Sequence, residues 1–215
     1  MLGTLMKRGL FFASLLGALF IAACGSGGSG STSLGASTSP PTASGPPAEI
    51  WETLRERPLQ LPNLASGAAC PRTPDGQVSP AYGPGLGTGP IYPVGLGTNG
   101  VLSFAYPPDP SVEFAGSDWG GAKVLWVSSP AYRGPALIRG HQLDGPNGLR
   151  FGRGIDPSDE LRLPQEPGAR SIGEEPGWRA WPSYTRLRAP GCYAYQVDGL
   201  DFTEVVVFRT AEEAE

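Results

Sequence analysis

Three cysteines and one histidine carry most of the reactive chemistry in this 215-residue sequence. Cys24 stands where an apolar run meets a Gly/Ser-rich run, in the stretch Ile21-Ala22-Ala23-Cys24. Cys70 and Cys192 lie far apart, and no Cys-x-x-Cys or His-x-x-His spacing accompanies them, so the ligand sets of structural or catalytic metals are missing. His141 has Arg139 and Asp144 close in sequence. A catalytic dyad there needs a nucleophile such as Ser128 or Ser129 brought to it, and no Gly-x-Ser-x-Gly elbow occurs. The acid pairs Glu174-Glu175 and Asp159-Glu160 sit in polar or Pro/Gly-rich surroundings that do not raise a carboxyl pKa for acid catalysis. Asp156, Asp159 and Glu160 lack EF-hand spacing. Gly83-Pro84-Gly85-Leu86-Gly87-Thr88-Gly89 is glycine-rich like a phosphate loop, but no Lys-Ser/Thr follows and Pro90 intervenes. No metal, cofactor or catalytic residue is expected from these patterns.

The element that positions Cys24 is the leader before it. Lys7 and Arg8 form a positive n-region, residues 9–20 form an uncharged h-region of Phe, Leu and Ala, and Ala22 and Ala23 are small enough for a signal peptidase. The apolar run is shorter than the roughly 20 residues a spanning helix requires, and no basic stop-transfer segment follows it. Ile21-Ala22-Ala23-Cys24 resembles the lipobox of bacterial lipoproteins. That resemblance implies cleavage between Ala23 and Cys24, and diacylglycerol on the Cys24 thiol with frequent acylation of its amine. It places the chain on the outer face of the cytoplasmic membrane, or on the outer membrane of a two-membrane cell. Gly25, rather than Asp, after Cys24 disfavours inner-membrane retention. Each buried methylene contributes about 0.8 kcal/mol, so two or three acyl chains hold where one does not.

Residues 25–47 are low in complexity: Gly, Ser, Thr, Ala and Pro with no charge. Such a stretch cannot bury enough surface to offset its ordering entropy and is expected to be a disordered tether. Glycine (32) and proline (24) together exceed a quarter of the chain, and beyond the tether they punctuate short runs, which favours turns and strands over long helices. Loss of Lys7 and Arg8 with the leader takes the formal net charge from -4 to -6. An acidic chain without a basic block does not suit a phosphate backbone, so nucleic acid is not an expected partner. Outside the cytoplasm, Cys70 and Cys192 favour a disulfide over free thiols.

Residues 48–57 read as a short helix. Pro46 and Pro47 can start it, Ile50, Trp51 and Leu54 share a face, and Pro58 stops it. Residues 59–69 follow as an extended segment whose Leu59, Leu61 and Leu64 lie on an apolar surface. From Cys70 the pattern is β, with strands expected at residues 89–94, 100–106, 122–127, 136–142, 148–152, 160–163, 179–188, 191–197 and 203–209. Their spacing predicts a sandwich rather than alternating β and α units. The last two strands form a hairpin around Asp198-Gly199, with a loop longer than two residues. Pro182 marks its strand as an edge strand, and residues 211–215 read as a solvated acidic tail. The echo of Gly85-Leu86-Gly87-Thr88-Gly89 in Gly95-Leu96-Gly97-Thr98-Asn99-Gly100 is read as two successive turns. The organisation is thus leader (1–23), lipidated tether (24–47), helix and extended segment (48–69), β domain (70–210) and tail (211–215).

A wider resemblance covers most of residues 57–208. The early Cys70-Pro71-Arg72-Thr73, the late Pro190-Gly191-Cys192-Tyr193 followed by Val197-Asp198-Gly199, and the central run from Tyr132 to Asp144 look like a group of bacterial lipoproteins and exported proteins with no assigned activity. It implies an immunoglobulin-like, Greek-key β-sandwich with the two cysteines bridged.

The ring-bearing residues are the best candidates for contact with a ligand. Trp119, Trp126, Tyr132, Trp178, Trp181 and Tyr184 are more rings than one small core demands. Rings of this kind usually fill cores, but several exposed in a row stack on sugar or peptide. Trp119, Trp178, Trp181 and Tyr184 are the candidate binding residues. The expectation is a membrane-tethered, non-enzymatic β module that binds an envelope protein, peptide or glycan, and whose other partner is the bilayer itself through Cys24. The alternative is a cell-envelope hydrolase acting through His141.

Overall fold

In the computed structural model, residues 47–97, 99–166 and 175–213 are described. The leader, Cys24, most of the tether and Glu174 lie outside them. One helix, α1 (Ala48–Arg55), precedes nine strands: β1 (Ile91–Val94), β2 (Val101–Phe104), β3 (Gly120–Ser128), β4 (Ala136–Gln142), β5 (Arg150–Phe151), β6 (Leu161–Leu163), β7 (Arg179–Leu187), β8 (Gly191–Asp198) and β9 (Thr203–Glu212). They form two sheets, ordered β1-β3-β7-β5 and β2-β9-β8-β4-β6. Every paired neighbour is antiparallel except β2 and β9, which run parallel. If β1 and β2 are taken as two halves of a split first strand, the rest follows the order of an immunoglobulin-like sandwich. One departure is that β5 joins the first sheet before β6 joins the second.

Alternation along the strands fills the space between the sheets. Val124 and Trp126 of β3, Ile138 of β4, Trp181 of β7, Tyr193, Tyr195 and Val197 of β8, and Val206 and Phe208 of β9 meet there. Tyr195 stacks on Phe208 with ring centroids 4.4 Å apart and meets Trp126 edge-on at 5.0 Å. Its hydroxyl shares a 2.7 Å hydrogen bond with Thr185, which satisfies a polar atom that burial would otherwise make costly.

The second sheet is covered on its outer face as well, by the chain before β1. Helix α1 buries Trp51 and Leu54 against Leu137 of β4. It is one half-turn shorter than the expected 48–57, because Arg57 precedes Pro58 and is biased away from helical geometry. Arg139 of β4 takes the carbonyls at that helix end, donating to Arg55 O (3.1 Å) and Arg57 O (2.8 Å), and pairs with the buried Asp198 at 2.7 Å. Residues 58–75 then run along β8 and β9. Gln196 Nε2 donates to Pro58 O (3.0 Å), and Thr73 and Val207 exchange hydrogen bonds of 3.0 and 2.7 Å. Leu61, Leu64 and Cys70 pack on Cys192, Ala194 and Val207. Hence β8 is buried on both faces, although its sequence alternates as a half-exposed strand does.

The Cys70–Cys192 disulfide closes this outer layer across 122 residues of chain. An antibody domain bridges its two sheets through the interior; here the bridge fastens a strap to the outside. In the loop-entropy account a closure of this length contributes about 5 kcal/mol.

Three expectations need correction. β7 is not an edge strand, since β3 flanks it along its length and β5 at Thr185 and Arg186. Pro182 is tolerated because β5 is too short to reach it, so the missing N–H faces no strand. The acidic end is not a free tail from Ala211: Ala211 and Glu212 continue β9 beside Ser103 and Phe104 of β2. The strand expected at 148–152 is only Arg150–Phe151.

Candidate functional site: a cleft between the diverging strands β2 and β3

Main-chain groups of a strand alternate between its two neighbours. At the β1–β3 pair, Ser129 N–H donates to Pro90 O (2.9 Å), and Leu86 N–H takes Pro93 O (3.2 Å) on the far side of β1. Tyr92 and Val94 are therefore the β1 residues that face β3, opposite Val127 and Leu125. By the same alternation Lys123 turns its N–H and C=O toward the β1 side. But β1 stops at Val94. Gly95 adopts φ +99°, and Leu96 turns into the core. Among the described residues no strand lies opposite Lys123 on that side.

The matching wall comes from the other sheet. Gly100 O accepts from Arg209 N–H (3.1 Å) and Phe104 O from Glu213 N–H (2.9 Å), so these residues face β9. Val101, Ser103 and Ala105 then face the opposite way. Ala105 forms an antiparallel bridge with Gly121. Two residues further along each chain, the next pair in that register is Ser103 and Lys123. Among the described residues no β2–β3 pairing continues past that bridge, each strand following its own sheet, and both residues line a cleft of about 630 Å³. That volume falls in the range of about 300–1,000 Å³ typical of ligand pockets.

The far wall is the segment between β2 and β3, which contributes Asp109, Ser111, Val112, Glu113 and Phe114. Phe114 meets Tyr184 edge-on at 5.1 Å. Beneath Phe114 lies the guanidinium of Arg186, 3.8 Å from the ring centroid and wholly buried. Among the described residues Arg186 has no carboxylate partner. It donates instead to the carbonyls of Trp119 (2.7 Å), Gly120 (3.1 Å), Gly152 (3.2 Å) and Gly154 (2.7 Å). Burial pulls its pKa down from 12.5 to about 10. Arg186 thus holds the cleft wall to β7. Ser111 donates through its hydroxyl (2.5 Å) and its N–H (2.7 Å) to Asp109, and both bonds lower the pKa of that carboxyl. Glu113 pairs with Arg153 at 2.6 Å. Lys123 extends over Tyr184, 6.0 Å from the ring centroid.

The four candidate rings do not form a row. Trp181 is a core residue with Trp126 and Tyr132. Trp178 packs with Tyr82 and Tyr92 in a separate apolar cluster. Trp119 is half-buried, with Arg188 at 4.1 Å and Arg150 at 5.5 Å from its ring. Tyr184 lines the cleft but is itself buried, between Phe114, Lys123 and Arg153. None of the four presents a ring in a shared exposed platform.

His141 lies on the outer face of the second sheet beside Leu59, in a groove of about 420 Å³ with Arg139, Arg150 and Asp159. Its Nδ1 is 2.7 Å from Gln142 O. Ser128 is at the interior end of β3 and bonds Tyr132 O and Arg179, not His141. The two are not brought together. Asp159 pairs with Arg150 of β5, and Glu160 with Arg55 of α1 and Arg162 of β6, so the acid pair serves ion pairing among these elements. The glycine-rich turn is occupied from within: Glu204 accepts from Thr88 N–H, Thr88 Oγ1 (2.9 Å) and Gly89 N–H (3.2 Å). A side chain at Gly87 would sit 2.6 Å from that carboxylate, which is why glycine stands there. The cleft groups that residue types do not reveal are main-chain ones, at Ser103 and Lys123. Lys123 is one of two lysines in the sequence, with Lys7, and neither residue type nor spacing carries a signal for an open strand edge.

No family model, no curated protein and no solved structure matches this chain.

Proposed function

We propose that this chain is an exported lipoprotein, anchored to the bilayer through acyl groups on Cys24, whose β-sandwich binds an envelope protein, peptide or glycan without catalysing a reaction. The observation that carries this reading is the Cys70–Cys192 disulfide. A bridge of this kind suits an oxidising compartment outside the cytoplasm. It also accounts for two of the three cysteines, and the third follows a leader of secretory composition in a lipobox-like stretch. The resemblance to bacterial lipoproteins supports the same reading, and the β2–β3 cleft supplies a place to bind. In cells fed labelled palmitate, the native chain takes up label and sediments with membranes, and Cys24→Ala does neither. Label retained by Cys24→Ala overturns the anchor.

The competing reading, an envelope hydrolase, has the His141 groove on its side. Its chemistry lacks support from the contacts of the imidazole, which has neither a hydroxyl nucleophile nor a carboxylate hydrogen-bonded to it among the described residues. Hydrolytic turnover of a cell-wall or ester substrate that is lost in His141→Ala would reverse the ranking.

A further inference from the structure

We propose that the β2–β3 cleft is a slot for an extended peptide of net positive charge, which adds as a strand between the two sheets. This deepens the binding-module reading and rests on it. The chemistry of the cleft separates peptide from glycan. Recognition of sugar relies on an open ring face, and the rings nearest the cleft, Phe114 and Tyr184, are packed against each other and against Arg186, Lys123 and Arg153. What the cleft does offer is strand edge. Lys123 on β3 and Val101 and Ser103 on β2 turn main-chain donors and acceptors toward the same space from opposite sides.

An extended peptide is the ligand whose own groups alternate in the complementary way. One of its residues pairs with Lys123, and the residues before and after it pair with β2. The Ala105–Gly121 bridge closes one end of the slot, and the turn at Gly95 and Gly97 borders the other. The slot therefore accepts a short stretch, not a long strand. The lining sets the charge. Three carboxylates, Asp109, Glu113 and Glu213, line the cleft with the single ammonium of Lys123; Arg153 already pairs with Glu113, which leaves Asp109 and Glu213 to meet a cation. Basic side chains flanking the residue that pairs with Lys123 meet those carboxylates, while a basic side chain directly opposite Lys123 is repelled.

The test uses the full lipidated chain in detergent micelles and a displayed library of random linear peptides. Peptides rich in Lys and Arg are expected to be retained, with binding that weakens as salt rises. Lys123→Pro removes the N–H on the open side without touching the ladder to β7. It should weaken a retained peptide about ten-fold, as loss of one main-chain hydrogen bond in a desolvated slot implies. Lys123→Ala keeps that N–H and removes the ammonium that repels a basic peptide, so binding should hold or tighten. Methylating the peptide's amides one at a time should give losses at each consecutive position within the slot, alternately those facing β3 and β2, and none outside it. That measurement uses the native protein, so it decides the matter even if Lys123→Pro fails to fold. The proposal is overturned if methylation within the slot costs no more than methylation outside it, if Lys123→Ala loses as much as Lys123→Pro, or if no peptide is retained while an array of envelope glycans is bound. In those cases palmitate labelling still reports separately on the anchored lipoprotein.

Discussion

Arg186 gives the sharpest check on how the cleft wall is held. Arg186→Met keeps an unbranched chain of similar reach and removes the guanidinium. Four hydrogen bonds to carbonyl oxygens go with it. Hydrogen bonds from charged donors contribute about 1.5–2 kcal/mol each, a gross loss of about 6–8 kcal/mol. Against this stands the cost of burying the charge, about 3 kcal/mol if the fall in pKa from 12.5 to about 10 is converted. The net expectation is a loss of about 3–5 kcal/mol. For a domain of this size that lowers the melting temperature by about 10 °C. Calorimetry of the oxidised protein measures it, and Arg186→Lys, which keeps charge but loses the fork, should fall between the two. Because the guanidinium lies against Phe114, peptide binding in the slot should weaken in Arg186→Met even at temperatures where the fold is intact. A melting temperature within about 1 °C of the native value would show that the carbonyls find other partners and that the wall does not depend on this residue.

Two further outcomes follow from ionisable groups. Hydrogen bonds from Arg55, at 2.9 and 2.6 Å, and from Arg162, at 2.8 Å, hold the Glu160 carboxyl down from 4.5 to about 2. A depressed carboxyl stabilises the fold above its unfolded value and loses that contribution as pH falls through about 2. Glu160→Gln should therefore cost about 1–2 kcal/mol at pH 7, after allowance for the exposure of Arg55. The deficit should shrink between pH 4.5 and 2; denaturant titration at several pH values checks this, and a deficit unchanged with pH refutes it. Tyr193 and Tyr195 are buried, which raises both phenols above 10. Their stabilising contribution is complete below about 10 and is lost as pH rises further. Ultraviolet titration should show these two ionising only with unfolding, and uniform titration of all seven tyrosines in the folded protein would refute it.

Most of the strand inventory is legible in residue order, because alternating apolar runs bounded by Gly and Pro encode strands through contacts a few residues apart. The final hairpin, the helix at Ala48 and the partnership of Cys70 with Cys192 follow from such signals together with an N-terminal stretch of leader-like composition. What residue order did not contain is how the strands are shared between sheets. Pro182 signals an edge because proline lacks a donor, yet β7 is interior and only the shortness of β5 leaves room for it. The alternation in β8 signals one wet face, but residues 58–75, more than a hundred positions earlier, cover it. The rings of Trp119, Trp178, Trp181 and Tyr184 signal a platform, and packing scatters them among the core, a side cluster, the cleft and, for Trp119, a pair of arginines. The cleft itself has no local signature. It exists because β2 and β3 start in register at Ala105 and Gly121 and then follow different sheets, and that divergence leaves main-chain groups of Ser103 and Lys123 facing open space. Residue types specify what a side chain can do, whereas the pairing of backbone atoms depends on where the whole chain has gone.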